Sequence, residues 1–529
     1  MLYISCLRNF QDVIGKPMAL RKLSHEQITE AFSSLFFPSL FFLLSLLIVF
    51  KFAFRKTKSK TNLNQLPSPP KLPFIGNLHQ LGTLPHRSLR DLSLKYGNMM
   101  LLQLGQKQTP TLVISSGEVA MEIMKNHDIV FSNRPQLTAP RILLYGCTEV
   151  GFANYGENWR QKRKICVLEL LSVKSVKSFH AIREGEVEEM VSKLREASSN
   201  NACVNLSEMF VSVTNNIVCK SALGRKCEGE VKELARKVMI YLTTFVVGDY
   251  FPSLGWIDVL SGKIKEFKDT FGALDDLFDK VIEERLALKK IENDQFKKKG
   301  FVDILLQLQE DDMLGFELTN NDVKGILMDM FVGGTDTTSA TLEWTISELV
   351  RHPSTMKKAQ EEVRRVVSNK SKVEESDINQ MHYLKCVVKE ILRLRPVTPL
   401  MAPRETISNV NLKGYDIPEK TMVYVNTWAI QRDPKNWENP EEFIPERFEH
   451  SQVDFRGQDF QFIPFGFGRR GCPGMNFGIT TVEYILANLL YWFDWETNSG
   501  KQDIDMSEVF GLVVSMKEPL HLKPKAFSF

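Results

Sequence analysis

The chain has no CxxC pair and no paired spacing among its eight cysteines, which stand at 6, 147, 166, 203, 219, 227, 386 and 472. That argues against a disulfide framework and against a zinc finger. It also lacks an excess of charge of one sign, with 67 Lys and Arg against 64 Asp and Glu and a formal charge of +3. No basic stripe carries interleaved aromatics, which speaks against nucleic acid as a partner. No flavin or dinucleotide fingerprint is evident, and no internal repeat. Strand signals are few. Apolar residues are plentiful, 43% hydrophobic and 10% aromatic over 529 residues, enough to bury one large core or two moderate ones. The body of the chain reads as cytosolic.

Only one segment contradicts a fully soluble protein. Ala31 to Phe50, "AFSSLFFPSLFFLLSLLIVF", is free of charge, and about twenty such residues are long enough to span a bilayer core as a helix. A cleaved signal peptide is the alternative, but the run is too long for one and no small-residue cleavage site follows. Lys51, Arg55, Lys56, Lys58 and Lys60 outnumber Lys16, Arg21 and Lys22, so an uncleaved anchor would leave the C-terminal body facing the cytosol. Residues 1–30 form an extension of unknown role, a targeting peptide or a stretch upstream of a start at Met18. Residues 51–77 combine the basic cluster with "LPSPPKLPFIGN", whose prolines set a stiff, extended spacer. Residues 78–529 remain for one catalytic domain.

That domain is expected to be mainly α with a small β portion. Leu342, Ile346, Leu349 and Val350 recur at helical spacing before Pro353, and "MKKAQEEVRRVV" follows as a charged, exposed helix. Met99 to Gly105 with Thr111 to Ser115 reads as a hairpin, and Thr421 to Trp428 as a further strand. The runs from Lys289 to Gly300 and from Ser368 to Ser376 read as solvated loops. One stretch, "FVGGTDTTSA" from Phe331 to Ala340, interrupts a helical pattern with residues a helix should avoid. It is either a turn with Thr or Asp as N-cap between two helices, or one helix opened locally by hydroxyls competing for its carbonyls.

The most specific chemistry lies in "PFGFGRRGCPG", Pro464 to Gly474. Glycines crowd Cys472 where a turn enters an apolar helix, so backbone N–H groups and the helix dipole favour a thiolate there. Such a thiolate is a nucleophile, a redox thiol or a metal ligand. A nucleophile needs a base, and His521 is the only histidine that follows; a redox pair needs a second cysteine, absent nearby.

Phe465, Gly468, Arg470, Cys472 and Gly474 match the F-x-x-G-x-R-x-C-x-G pattern, and the chain thereby resembles the haem-thiolate enzymes of the cytochrome P-450 superfamily, in particular its plant microsomal branch. The resemblance runs from Leu66 to the C-terminus. It implies haem b with Cys472 as the axial iron ligand. It implies that Glu390 and Arg393 of "KEILR" and Arg447 of "PERF" form a buried structural network. Trp159 and Arg163 of "WRQKRK", Arg404 of "APRE" and Arg470 match residues that reach the haem propionates. Lys162, Lys164 and Arg469 would then lie on the proximal surface, where an acidic flavoprotein reductase docks. Thr335 to Thr338 match the distal-helix motif, and the locally opened helix becomes the favoured reading of "FVGGTDTTSA". Thr337, or water held by it, is the expected proton donor during dioxygen activation, and Asp336 its link to solvent.

The implied activity is membrane-anchored monooxygenation at the endoplasmic reticulum, with electrons from NADPH delivered by a separate reductase to a small hydrophobic substrate. The expected pocket is lined from Pro135 to Gly151, Met239 to Phe251, Met328 to Thr337, Val397 to Ala402 and Gly511 to Ser515, largely apolar segments. A non-oxygenating isomerase or dehydratase would have no use for both Asp336 and Thr337. A haem sensor or electron carrier would need neither that pair nor a spacer. Two departures from the plant pattern, Ser68 for Gly and Arg395 for His, touch none of this chemistry.

Overall fold

The computed structural model describes residues 39–46, 66–107, 110–226, 229–292, 300–310, 315–368, 370–497 and 504–528. The chain divides into two units, Met1–Thr61 and Asn62–Phe529. In the first, residues 39–46 are helical; the extension, the basic cluster and the rest of the 31–50 run lie outside the described residues. Among the described residues no helix is long and apolar enough to cross a membrane.

The second unit is mainly helical with a small β portion. Its proline-rich start is folded onto the body: Leu66 and Asn77 are buried, the Leu101 N–H reaches the Pro67 carbonyl at 2.9 Å, and the Asn77 Oδ1 accepts the Gln103 N–H at 2.7 Å. The helices that matter to the site are α1 (Pro85–Tyr96), α2 (Glu157–Ile165), α3 (Leu206–Leu223), α4 (Glu230–Tyr241), α5 (Lys263–Glu292), α6 (Asn320–Gly334), α7 (Asp336–Arg351), α8 (Pro353–Val367), α9 (His382–Leu394) and α10 (Met475–Trp492). The main sheet has strands β1 (Met99–Leu102), β2 (Thr111–Ile114), β3 (Arg404–Glu405) and β4 (Met422–Val425) in the order β1-β2-β4-β3. β1 and β2 pair as the expected hairpin, with Met99 opposite Ile114, and β4 lies parallel to β2. β1 and β2 are buried along nearly their whole length rather than on one face.

α7 runs through the centre, buried on all sides from Thr338 to Val350. Its stripe of Leu342, Ile346 and Leu349 was legible; its other faces carry hydroxyl residues that bond back to the helix, and Glu343, Trp344 and Glu348, which bond to other segments. Thr341, Thr345 and Ser347 each donate to the carbonyl four residues back, at 2.7, 2.6 and 2.8 Å, so their burial leaves no unpaired hydroxyl. α3 packs across α6 and α7, and α10 packs against α7, α8 and α9. α8 is not the exposed helix its charges suggested. Met356, Ala359 and Val363 are buried, and buried Glu362 accepts the Tyr383 and Leu384 N–H groups at 2.9 Å each, occupying free donors at the start of α9.

Candidate active site

The stretch 331–340 is one helical path with a single defect. α6 ends at Gly334 and α7 begins at Asp336, while Thr335 between them keeps helical dihedrals, φ −88° and ψ −70°, and caps neither helix with its side chain. The Thr337 hydroxyl donates to the Gly333 carbonyl at 2.6 Å, the competition for backbone acceptors that its sequence suggests. The paired glycines differ in task. A Cβ on Gly334 would stand 2.8 Å from the Val218 Cγ2 of α3, whereas one on Gly333 would meet nothing within 4 Å. Gly334 lets α3 approach; Gly333 faces the open side.

That open side is a cavity of about 330 Å³, lined by Gly333 and Thr337 together with Cys472. Cys472 follows a short 3₁₀ turn, Gly468–Arg470, and its N–H donates to the Phe465 carbonyl at 2.8 Å. Gly468 needs its glycine twice over: φ is +62°, and a Cβ would stand 2.4 Å from the Asp128 Oδ1. The turn delivers the cysteine to the start of α10, where Gly474 caps the helix. The Gly474 and Met475 N–H groups and the Arg163 guanidinium favour the thiolate, but burial outweighs them and pushes the thiol up from its ordinary value.

Four guanidinium groups, those of Arg134, Arg163, Arg404 and Arg470, line the same cavity. Their hydrogen bonds within the protein go to backbone carbonyls. Arg163 donates to the Gly471 carbonyl, Arg404 to Phe467 at 2.8 Å, and Arg470 to Ser132 at 2.6 Å, Val150 at 3.2 Å and Ala153. Arg134 donates to Gly151 at 3.0 Å and to Ala402 and Pro403 at 2.6 and 2.8 Å. Among the described residues, only Arg404 has a carboxylate within 4 Å, Asp128 at 3.8 Å. Burial holds all four below the ordinary arginine range, Arg404 at about 10 and Arg470 at about 9, and mutual repulsion adds to this for Arg134 and Arg470. Buried cations so arranged call for an anionic ligand. Trp159 braces them, its Nε1 donating to the Val150 carbonyl at 3.0 Å and its ring 4.3 Å beneath the Arg470 guanidinium.

Glu390, Arg393 and Arg447 meet in one buried network. Arg393 forks onto Glu390 at 2.7 and 2.8 Å, and Arg447 reaches it at 3.1 Å. Asp336 lies off the cavity wall; burial raises its carboxyl and the Arg236 guanidinium of α4 opposes the rise. Lys162 departs from expectation. It is buried, paired with Asp322 at 2.7 Å and bonded to the Thr148 carbonyl, because it stands one turn from Trp159 on the inward face of α2. Lys164 and Arg469 are exposed.

The remaining walls are largely apolar and come from each of the five expected segments, including Val150, Met239, Met330, Val397 and Val513. Phe301, Val218 and Leu171 join them from segments the sequence did not point to. Arg134, the one charge between Asp128 and Arg141, was the available but unread signal for the guanidinium cluster.

A family model for cytochrome P450 matches residues 66–524. The chain belongs to the cytochrome P450 family. Over 94% of its length it is 51% identical to phenylacetaldehyde oxime monooxygenase CYP71AN24 of Prunus mume, covering 96% of that protein. It is 52% identical to cytochrome P450 71A1 of Persea americana over 85% of the chain and 91% of the relative. A solved zebra fish cytochrome P450 with progesterone shares the fold at TM-score 0.71 and 24% identity, covering 84% of the chain and 99% of that structure. This P450 is accordingly an oxygen-incorporating monooxygenase with a thiolate-ligated haem iron. The cavity fits that group: one cysteine sulfur and four guanidinium groups awaiting carboxylates surround a single apolar space.

Proposed function

We propose that Cys472 would hold the haem iron through its sulfur and that this P450 inserts one atom of dioxygen into a small, neutral, lipophilic plant metabolite, using NADPH electrons passed by a flavoprotein reductase. The observation that carries this is that Cys472 and the Thr337 turn line one and the same largely apolar cavity. When bound, the haem would supply dioxygen activation, and the Cys472 sulfur would be the protein's ligand to it. The protein supplies what the cofactor lacks. Arg134, Arg163, Arg404 and Arg470, braced by Trp159, hold the haem carboxylates; Phe465, Gly468 and Gly474 shape the turn around the sulfur. Thr337, tethered to the Gly333 carbonyl, hands protons into an otherwise apolar space, and Asp336 resupplies it from the Arg236 side. Glu390, Arg393 and Arg447 hold the fold that presents the cysteine.

The relatives' names range from phenylacetaldehyde oxime monooxygenase to a costunolide synthase of Cichorium intybus at 45% identity. Identity at that level leaves the substrate at its chemical class. Membrane attachment through residues 31–50, in the endoplasmic reticulum with the catalytic domain in the cytosol, draws support from an exposed apolar set, Phe245, Trp256, Val259 and Leu260 with Leu72 and Phe74. For the reductase, Lys164 and Arg469 border a shallow depression that also includes Val167 and Leu168. Charge reversal of Lys164 and Arg469 should lower reductase-supported turnover; unchanged turnover removes this docking face.

The reduced protein with carbon monoxide should give the difference spectrum of haem-thiolate ligation, and Cys472→Ala should abolish it. Incubation with reductase, NADPH and a plant metabolite extract should then yield a product heavier by one oxygen. Product formed without NADPH would instead favour an isomerase.

A further inference from the structure

Two carboxyl groups, that of half-buried Asp329 of α6, which lines the cavity, and that of buried Glu149, have no part in the chemistry above. The Asp329 carboxylate accepts the Val150 N–H on Oδ2 at 2.7 Å and the Gly151 N–H on Oδ1 at 3.2 Å. Glu149 Oε1 accepts the Phe152 N–H at 2.5 Å, while its Oε2 is buried without a hydrogen-bond partner. Each carboxylate thus grips the N–H end of a peptide plane whose C=O end belongs to the guanidinium cluster. In the plane joining residues 150 and 151, the N–H points to Asp329 and the carbonyl accepts Trp159 Nε1 at 3.0 Å and Arg470 Nη1 at 3.2 Å. In the next plane the N–H points to Glu149 and the carbonyl accepts Arg134 Nε at 3.0 Å.

We propose that Asp329 and Glu149 are positioning residues for the haem-carboxylate clamp, each acting through one polarised peptide plane on the cations that face the cavity. A carboxylate at the donor end of a peptide strengthens the acceptor at the other end, and an acceptor fixed in direction fixes the guanidinium it holds. Gly151 keeps the link tight, since a Cβ there would stand 3.0 Å from the Asp329 Oδ1 and 3.5 Å from the Glu149 Oε1. Burial raises both carboxyls, while Lys162 opposes the rise at each and Arg163 at Asp329. The distal helix, which carries Thr337, is thereby tied to the groups that seat the cofactor.

This inference rests on the assignment of Arg470, Arg134 and Trp159 to the haem carboxylates, and the test separates the two. The measurement is the rate at which the purified holoenzyme gives up haem to excess apomyoglobin. Asp329→Asn and Glu149→Gln should each speed transfer about tenfold, the scale on which supporting partners tune a bound metal group. Arg470→Lys should speed it as well. In the Arg470→Lys background Asp329→Asn should add little, because the link it breaks is already lost. Asp258 is the matched control, a buried carboxylate in the short helix Trp256–Leu260 that accepts the Val247 and Gly248 N–H groups at 3.0 and 2.8 Å, neither of which belongs to the cluster. Asp258→Asn should lower the melting temperature and leave transfer within about twofold of the parent. Gly151→Ala, which disturbs the link without removing a charge, should reproduce the effect where Asp329→Asn accumulates poorly. Transfer from Asp329→Asn at the parent rate, or a full tenfold effect persisting in Arg470→Lys, overturns the positioning role. An Arg470→Lys variant that holds haem as tightly as the parent overturns the clamp beneath it.

Discussion

Without the Thr337 hydroxyl, the Gly333 carbonyl loses its side-chain donor and the cavity loses one of the hydroxyls that line it. Thr337→Ala should therefore consume NADPH and release peroxide while product falls, and Thr337→Ser should restore most of the coupling. The ratio of product to NADPH oxidised measures this, and an alanine variant that stays fully coupled removes Thr337 from the proton path. At this scale legibility followed pattern. Cys472 and Thr337 stood out because glycine, arginine and threonine crowd around them at fixed short spacing. Arg134, Glu149 and Asp329 did not, since what they do is set by neighbours far away in sequence: Asp329 meets a loop 178 and 179 residues distant. Lys162 misled because a charge suggests water, whereas the helical period that set Trp159 inward set Lys162 inward too.

The two glycines of the distal helix give opposite expectations for one substitution. Gly334→Ala drives a methyl into Val218, and overpacking of that kind costs about 1–3 kcal/mol. Gly333→Ala meets no atom and removes a poor helix former, so folding stability should hold or rise by up to about 1 kcal/mol. Thermal melts of both check this, and Val218→Ala should rescue Gly334→Ala alone. Arg447→Ala should cost about 1.5–3 kcal/mol, the loss of one hydrogen bond to a buried charge, because Arg393 still pairs with Glu390. The sheet strands and the α7 stripe were readable from periodicity. The inward face of α8 was less so, because its buried Glu362 is defined only by the two N–H groups it accepts from α9. Arg395 belongs here as well. Its guanidinium bridges Glu348 of α7 at 2.9 Å and Glu508 at 3.4 Å, a structural tie between segments.

For the whole molecule, two buried carboxyls give pH dependences of opposite sign. Glu508 joins the C-terminal region to α1 through His86 and Arg87, whose partnership overcomes burial and holds its carboxyl down to about 2. Its stabilisation, about 3 kcal/mol, is present above the unfolded value near 4.5 and lost as pH falls toward 2. Glu508→Gln should flatten the acid side of the stability curve. Glu483 of α10 is the reverse case, pushed up to about 7 by burial against the opposing pull of Lys385 and Lys389. The folded chain keeps a proton there that the unfolded chain releases, so stability falls as pH rises from about 4.5 through 7. Glu483→Gln should raise the melting temperature at pH 8 relative to the parent, with little gain at pH 4; equal gains at both would discount the titration.

The guanidinium cluster has a consequence for how much of this enzyme a cell can hold. Chains made faster than haem is supplied keep a guanidinium cluster with few carboxylate partners, three of its members buried, and ligand binding adds the missing stabilisation, growing with the logarithm of free haem over its dissociation constant. Unliganded chains would feed the unfolded pool that proteases clear. Steady-state abundance should then follow porphyrin supply even at constant transcription and translation.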